Sequence, residues 1–333
     1  MSITNVPLIN LMNQRFLINS DFGNNYNQYL LVDTGSSDTW GRGTVCVSTG
    51  IGCTGNKMAG GVGTFEESAV EVTYAGGFTS AYLEIYSGSP TFGSYSVSNI
   101  FYGNATEIEN IPSIFDGVLG LAQLDASAIY QTTSNSLALF MIAASSPTYG
   151  IYFTDYNNVS SPTSLLNIGG YSSSLYYGSL NWLTSNSNKY WQISASGSTV
   201  TATGASIDFS NGGTKTTILF DTGTPNLLFG SSVASSLCMQ IGCTYNIDES
   251  TYVINCANYN SLPSINITAG SGFWSIPPKY YVRNYTSQYS GAVCSIIFTA
   301  SSGSLAILGA PLFLNYYSAY NLATGQIGFA LRV

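Results

Sequence analysis

One heptapeptide occurs twice in the chain. Leu31-Val32-Asp33-Thr34-Gly35-Ser36-Ser37 returns 188 residues later as Leu219-Phe220-Asp221-Thr222-Gly223-Thr224-Pro225. A second motif, Val118-Leu119-Gly120, returns 189 residues later as Ile307-Leu308-Gly309. The Asp-to-Gly interval is therefore 87 residues in the first half and 88 in the second. Two motifs that recur in the same order at the same spacing point to a duplicated unit and a pseudo-twofold axis.

The segments around these motifs read as short strands. Tyr29-Leu30-Leu31-Val32, Val70-Glu71-Val72-Thr73-Tyr74 and Thr216-Thr217-Ile218-Leu219-Phe220 are β-branched or aromatic runs stopped by glycine. Many such runs, with 35 Gly among polar turns, predict an all-β chain with a few short helices. Helical pattern is confined to Ser136–Ile142 and Ser231–Met239, the second with Ser231 or Ser232 as its expected cap. Residues 183–189 are polar and turn-rich, so a boundary between units is expected in or just before them.

Composition narrows the function. Only 7% of residues are charged, with 16 Asp+Glu against 8 Lys+Arg, where an ordinary soluble chain has about 25%. A net charge of −8 repels phosphate and argues against a nucleic-acid partner. The absence of His removes Ser-His-Asp hydrolases, Cys-His proteases and His-ligated metal enzymes. A chain with few ion pairs to lose also suits acid.

The six Cys contain no Cys-x-x-Cys pair, which disfavours a metal site. Their even number fits disulfides and an oxidising compartment. The spacing proposes Cys46–Cys53 and Cys238–Cys243 as local loops and Cys256–Cys294 as a longer one, worth about 4 kcal/mol of chain entropy. Asn104, Asn158, Asn266 and Asn284 each open an N-glycosylation sequon. No run of 18 apolar residues would span a membrane, and residues 1–20 carry no visible signal peptide. A leader removed before the sequence begins is the expectation for a secreted protein.

The duplicated Asp carries chemistry. Each follows two apolar residues, so a buried strand would deliver it, and each precedes Thr-Gly, which allows a tight turn. A twofold axis would set the two carboxylates face to face. At about 3 Å they cannot both ionise and share one proton. One member can then take a proton from water while the other donates to the oxygen of a scissile carbonyl.

Over essentially its whole length the chain resembles the pepsin-like aspartic proteases. The resemblance is carried by Asp33-Thr34-Gly35-Ser36-Ser37-Asp38-Thr39-Trp40, Val72-Thr73-Tyr74-Ala75-Gly76-Gly77, Phe115-Asp116-Gly117-Val118-Leu119-Gly120-Leu121, Tyr177-Gly178-Ser179-Leu180-Asn181-Trp182, Tyr190-Trp191-Gln192-Ile193 and Asp221-Thr222-Gly223-Thr224. It implies a bilobal fold of two lobes, 1–176 and 177–333, with a cleft between them. Asp33 and Asp221 would be the catalytic dyad, held by Ser36, Thr224, Gly35 and Gly223. Tyr74, Gly76 and Gly77 would belong to a flap over the substrate, with Trp40 as the hydrogen-bond partner of Tyr74. Phe115, Leu121 and Tyr190 would line apolar pockets. The six Cys fall where the family has three disulfides, which agrees with the spacing.

The implied activity is an aspartic endopeptidase acting on extended polypeptides with bulky apolar or aromatic residues at the cleaved bond. It would be secreted or lie in a vacuolar or lysosomal lumen, as a monomer derived from a zymogen, without cofactor or metal and open to pepstatin-type inhibitors. The rival reading is a catalytically silent binding or inhibitor protein on the same fold, and a surface glycoprotein of short strands is a third. Three departures from the family pattern stand out. The loop Phe22-Gly23-Asn24-Asn25-Tyr26-Asn27 replaces the usual Gly-Thr-Pro, Pro225 follows Thr224, and Ala310 stands where many members carry Asp. Loss of that Asp implies a less acidic optimum.

Overall fold

The computed structural model describes residues 3–333 except 24–26, 49–52, 59–62, 75–76, 139–140, 142–145, 158–162, 211–215 and 288–290. Strands dominate, and their burial follows the period-2 pattern of sheets that cover a core on one face. In Thr79–Gly88, Ala81, Leu83 and Ile85 point inward while Tyr82 is exposed.

A ten-stranded sheet fills the first half of the chain. Its order runs from Thr64–Tyr74 at one edge through Thr79–Gly88, Ile100–Glu109, Trp40–Ser48, Gly117–Gly120, Asn27–Asp33 and Arg15–Asp21 to the short strands Thr91–Phe92 and Tyr95–Ser96. Ile9–Leu11 also pairs with Arg15–Asp21. The second half places most of its strands in a five-stranded sheet and two four-stranded sheets.

The duplication is visible in register. Asn27–Asp33 runs parallel to Gly117–Gly120, with Asp33 opposite Gly120. Thr217–Phe220 runs parallel to Leu305–Leu308, with Phe220 opposite Leu308. Each inner strand then meets an antiparallel neighbour, Val118 opposite Trp40 in the first half and Ile307 opposite Leu228 in the second. Even single amide bonds repeat. Ala122 donates to the carbonyl of Ser36 at 2.8 Å, and Ala310 to that of Thr224 at 2.9 Å.

A six-stranded sheet joins the halves. Three strands come early, Thr4–Pro7, Leu165–Ile168 and Thr148–Tyr152, and three late, Tyr316–Asn321, Gln326–Leu331 and Asn181–Thr184. Above it the largest apolar cluster draws on both halves, from Phe16, Leu30 and Val32 to Phe220, Leu308 and Phe329. Leu17, Leu31, Trp40, Leu83 and Ile108 form a separate cluster in the ten-stranded sheet.

Helices are few and short. Ser231–Ile241 buries Val233, Ala234, Leu237, Cys238 and Ile241 on one face and stops at Gly242, whose φ of 79° gives the left-handed cap. Its N-cap is Gly230, without a side-chain bond, not Ser231 or Ser232. Gly230 is the last residue with extended backbone, at ψ 150°, so both serines already lie in the first turn and neither can serve as the half-helical cap. Of the other expected helix, Leu137, Ala138 and Met141 are helical, and the remaining residues are serine 136, outside the helix, and positions outside the described residues.

All three expected disulfides form, with Cα–Cα distances of 5.7 Å for Cys46–Cys53, 5.0 Å for Cys238–Cys243 and 5.3 Å for Cys256–Cys294. Among the described residues no helix is long and apolar enough to cross a membrane, and no cluster of three or more potential metal ligands occurs. Of the sequons, Asn284 is exposed, Asn104 and Asn266 are half-buried in strands, and Asn158 lies outside the described residues.

Candidate active site

The two repeated Asp side chains meet between the halves. Leu31 and Val32, and likewise Leu219 and Phe220, are buried and anchor the strands that carry them. The first strand ends at Asp33 and the second at Phe220, just before Asp221, and the two carboxyls converge against Gly223 and Gly35. Each lies mostly out of water, Asp33 6% and Asp221 8% exposed.

The two carboxyls have matching shells. The amide of Gly35 donates to Asp33 Oδ1 at 2.8 Å, and the Ser36 hydroxyl donates to Oδ2 at 2.5 Å. The amide of Gly223 donates to Asp221 Oδ1 at 2.8 Å, and the Thr224 hydroxyl to Oδ2 at 2.5 Å. Charge-assisted bonds of this kind hold the carboxylate form and fix its plane. Glycine is needed at both turns because each faces the opposite carboxyl. A Cβ on Gly35 would stand 2.6 Å from Asp221 Cγ, and one on Gly223 2.4 Å from Asp33 Oδ1.

Beneath the carboxyls, Thr34 and Thr222 cross-link the strands. The Thr34 amide donates to Thr222 Oγ1 and the Thr222 amide to Thr34 Oγ1, each at 3.0 Å. The two hydroxyls then donate across the axis, Thr34 to the carbonyl of Phe220 at 2.9 Å and Thr222 to that of Val32 at 2.8 Å.

Burial pushes the Asp33 carboxyl well above its ordinary value, and the charge of Asp221 and a hydrogen bond to it push the same way. The bonds from Ser36 and Gly35 oppose them.

Tyr74 ends the strand Thr64–Tyr74 and pairs with Thr79 across a hairpin turn. Its hydroxyl accepts a hydrogen bond from Trp40 Nε1 at 2.7 Å. Burial raises its pKa far out of reach of physiological pH, so it stays a neutral phenol. Gly77 turns the hairpin at φ 93°, and Gly76 lies outside the described residues. Phe78 at the tip is 80% exposed.

Phe115 and Leu121 are buried in the apolar clusters, and Tyr190 is half-buried. The Leu121 carbonyl accepts from Trp191 Nε1 at 2.9 Å and from the Tyr149 hydroxyl. The Tyr190 carbonyl accepts from Gln123 Nε2 at 2.9 Å and from the Ser185 hydroxyl at 2.7 Å. Ala310 is fully buried and opens the short helix Ala310–Phe313.

Two supporting groups lie outside the repeated motifs. Asp38 accepts from Ser127 Oγ at 2.6 Å and from the amides of Ala128 and Ile129 at 3.0 Å, so it satisfies the open end of the helix Ala128–Thr133. Arg42, fully buried, pairs with Asp116 at 3.5 Å and donates to the carbonyls of Thr54 at 2.7 Å and Pro112 at 3.0 Å. Asp116 also accepts from the Tyr29 amide at 2.9 Å, which ties the closing segment of the first half to the strand of Asp33.

Residues 17–332 match the family model described as eukaryotic aspartyl protease. The vacuolar aspartic protease of Candida albicans is 25% identical over 97% of this chain and 77% of its own length. Pepsin A of Sus scrofa is 27% identical over 97% of this chain and 83% of its own, and pepsin A of Bos taurus 27% identical over 98% and 87%. A chain matched by that model almost from end to end, with two Asp-Thr-Gly turns brought together on a twofold axis, belongs to the eukaryotic aspartyl protease family and is an aspartic endopeptidase.

Proposed function

We propose that Asp33 and Asp221 together activate a water for attack on a peptide carbonyl. The observation that carries this reading is the matched pair of shells around two buried carboxyls. With one shared proton, the ionised member accepts a proton from the water as its oxygen approaches the carbonyl carbon. The protonated member donates to the carbonyl oxygen, giving a neutral gem-diol. In its collapse the C–N bond breaks, the member now protonated gives its proton to the leaving nitrogen, the other takes one from a gem-diol hydroxyl, and the pair again holds one proton. Ser36 and Thr224 keep the carboxyls aligned, while Gly35 and Gly223 supply the amide donors and the room.

Tyr74 closes over the substrate with its hydroxyl held by Trp40, and Gly76 and Gly77 shape the hairpin turn. Phe115, Leu121 and Tyr190 give the cleft apolar walls, so bulky apolar or aromatic side chains are preferred at the cleaved bond. The cleft lies between lobes 1–176 and 177–333. Each lobe supplies one Asp, so a monomer suffices. Three disulfides, an exposed sequon at Asn284 and likeness to vacuolar and pepsin proteases support a secreted or vacuolar location.

The test is cleavage of an unfolded protein across pH 2–7, with and without pepstatin, which mimics the tetrahedral intermediate. Acid-dependent cleavage that stops at one equivalent of pepstatin supports the dyad. Folded protein that cleaves nothing at any pH would favour a silent binding protein instead.

A further inference from the structure

Asp38 stands five residues after Asp33 and two before Trp40, so one short segment carries a dyad carboxyl, a second acid and the indole that holds Tyr74. The backbone of this segment is wedged against the strand Gly117–Gly120. A Cβ on Gly120 would stand 2.4 Å from the carbonyl carbon of Ser37 and 2.6 Å from both the amide nitrogen and the carbonyl oxygen of Asp38. The Asp38 side chain is buried, and its three hydrogen-bond donors all come from the start of one helix. Oδ1 takes the Ser127 hydroxyl and the Ile129 amide, and Oδ2 takes the Ala128 amide. Donors alone are what an ionised carboxylate satisfies.

The same helix touches the strand that carries Tyr74. Ala128–Thr133 packs against Thr64–Tyr74 and against Ile100–Glu109. Its buried Ile129 lies in one apolar cluster with Trp40 and Val72, and Tyr74 packs against that cluster. A helix of six residues does not hold its shape by itself in water, so its place is set by tertiary contacts. Ser127 caps it in the ordinary neutral way, accepting from the Tyr130 amide at 3.0 Å. The Asp38 carboxylate adds charge-assisted bonds, roughly twice as strong as neutral ones, between the helix and the dyad turn.

The duplication supplies an internal control. Asn226, five residues after Asp221, occupies the place that matches Asp38. The backbone wedge repeats there, since a Cβ on Gly309 would stand 2.3 Å from the carbonyl oxygens of both Thr224 and Asn226. The carboxylate does not repeat. The Asn226 side chain makes no hydrogen bond among the described residues, and the helix Ala310–Phe313 starts at Gly309 without a side-chain cap. The turn geometry is thus reached without a buried acid, and the acid stands only in the half that carries Tyr74.

We propose that Asp38 is a positioning residue, whose carboxylate locks the helix Ala128–Thr133, and with it the strand that carries Tyr74, in register with the turn that carries Asp33. The effect on catalysis rests on Tyr74 acting as the flap residue over that dyad.

Asp38→Asn tests the lock, because one carboxylate oxygen becomes an NH2 that faces a donor. Per folded molecule, counted by near-ultraviolet circular dichroism, kcat on a peptide substrate should fall about tenfold, the size of one hydrogen bond to a charged group. In a Tyr74→Phe background the same substitution should lower kcat less than about twofold, because the misplaced strand no longer carries the hydroxyl. Amide hydrogen exchange should quicken in residues 128–133 and in 70–74 and stay unchanged in 217–220. Ala128→Pro removes one donor at a helix position that accepts proline and leaves the Ser127 cap in place. It should give the same pattern at smaller size, which serves if Asp38→Asn folds poorly. Exchange that quickens in the helix alone, or kcat losses that multiply in the double variant, overturns the proposal and leaves Asp38 a helix cap. Full kcat in Tyr74→Phe alone would sink the flap reading instead, and exchange in 70–74 would then decide the lock.

Discussion

Thr34 and Thr222 hydrogen-bond each other twice, amide to hydroxyl in both directions at 3.0 Å, and their hydroxyls reach on to the carbonyls of Phe220 and Val32. Four buried bonds thus tie together two strands 188 residues apart, immediately below the carboxyls. Thr222→Val leaves the Thr34 amide and the Val32 carbonyl without partners. A loss of about 2–4 kcal/mol is expected in urea unfolding, at about 1–3 kcal/mol per orphaned group. Activity should fall further than stability, because the carboxyls lose their alignment, and Thr222→Ser should restore most of both. A Val variant as active as the parent would deny the pair any part in alignment.

Removing one charge from the dyad should separate catalysis from folding. Asp33→Asn is expected to lower kcat by at least about 10²–10⁴-fold, the range for one general acid–base group. Its Tm should hold or rise, since like-charge repulsion is relieved. Full activity in the Asn variant would require a different catalytic pair.

Asp33 and Asp38 both have raised pKa values, Asp33 from burial and then the charge of Asp221, and Asp38 from burial against three hydrogen bonds. A raised acid binds its proton more tightly folded than unfolded. Its contribution is complete below the unfolded carboxylate pKa of about 3.9 and is lost as pH rises through the folded value. Tm should therefore fall between pH 4 and 7, and less steeply in Asp33→Asn. Equal slopes in the two proteins would remove Asp33 as a cause.

Trp40 and Tyr74 allow a double-mutant cycle. Trp40→Phe and Tyr74→Phe each remove the 2.7 Å bond, and the coupling energy should be about 1 kcal/mol in kcat/KM if the bond positions the flap. Coupling in stability with none in kcat/KM would make it a packing contact.

The disulfides should differ in worth by the length of loop each closes. Replacing Cys256 and Cys294, 38 residues apart, by Ala should cost about 4 kcal/mol, against about 2 kcal/mol for Cys238 and Cys243, 5 apart. Equal losses would place their effect in the native state rather than in the unfolded chain.

The repeat made much of this architecture legible. Strands, disulfide pairing and the convergence of Asp33 with Asp221 follow from local pattern and spacing, because both halves obey the same rule. The helix cap was misread because Gly230-Ser231-Ser232 offers three capping residues, and only the backbone decides which is half-helical. Asp116 lay within a recognised motif, but its ion pair with Arg42 depends on a tertiary contact between distant segments.

The two halves agree at the carboxyls and disagree one strand further out. Trp40 sits opposite Val118, and Leu228 occupies the matching place opposite Ile307. The leucine side chain has no N–H to offer, so the indole that holds Tyr74 has no counterpart across the axis. A perfectly symmetric groove would accept a polypeptide equally well in either direction. If Tyr74 closes over the substrate as proposed, its flap is anchored on one side only, and the two ends of a threaded chain are no longer equivalent. On that reading the broken symmetry would give the groove a sense of direction, distinguishing residues before the cut from residues after it.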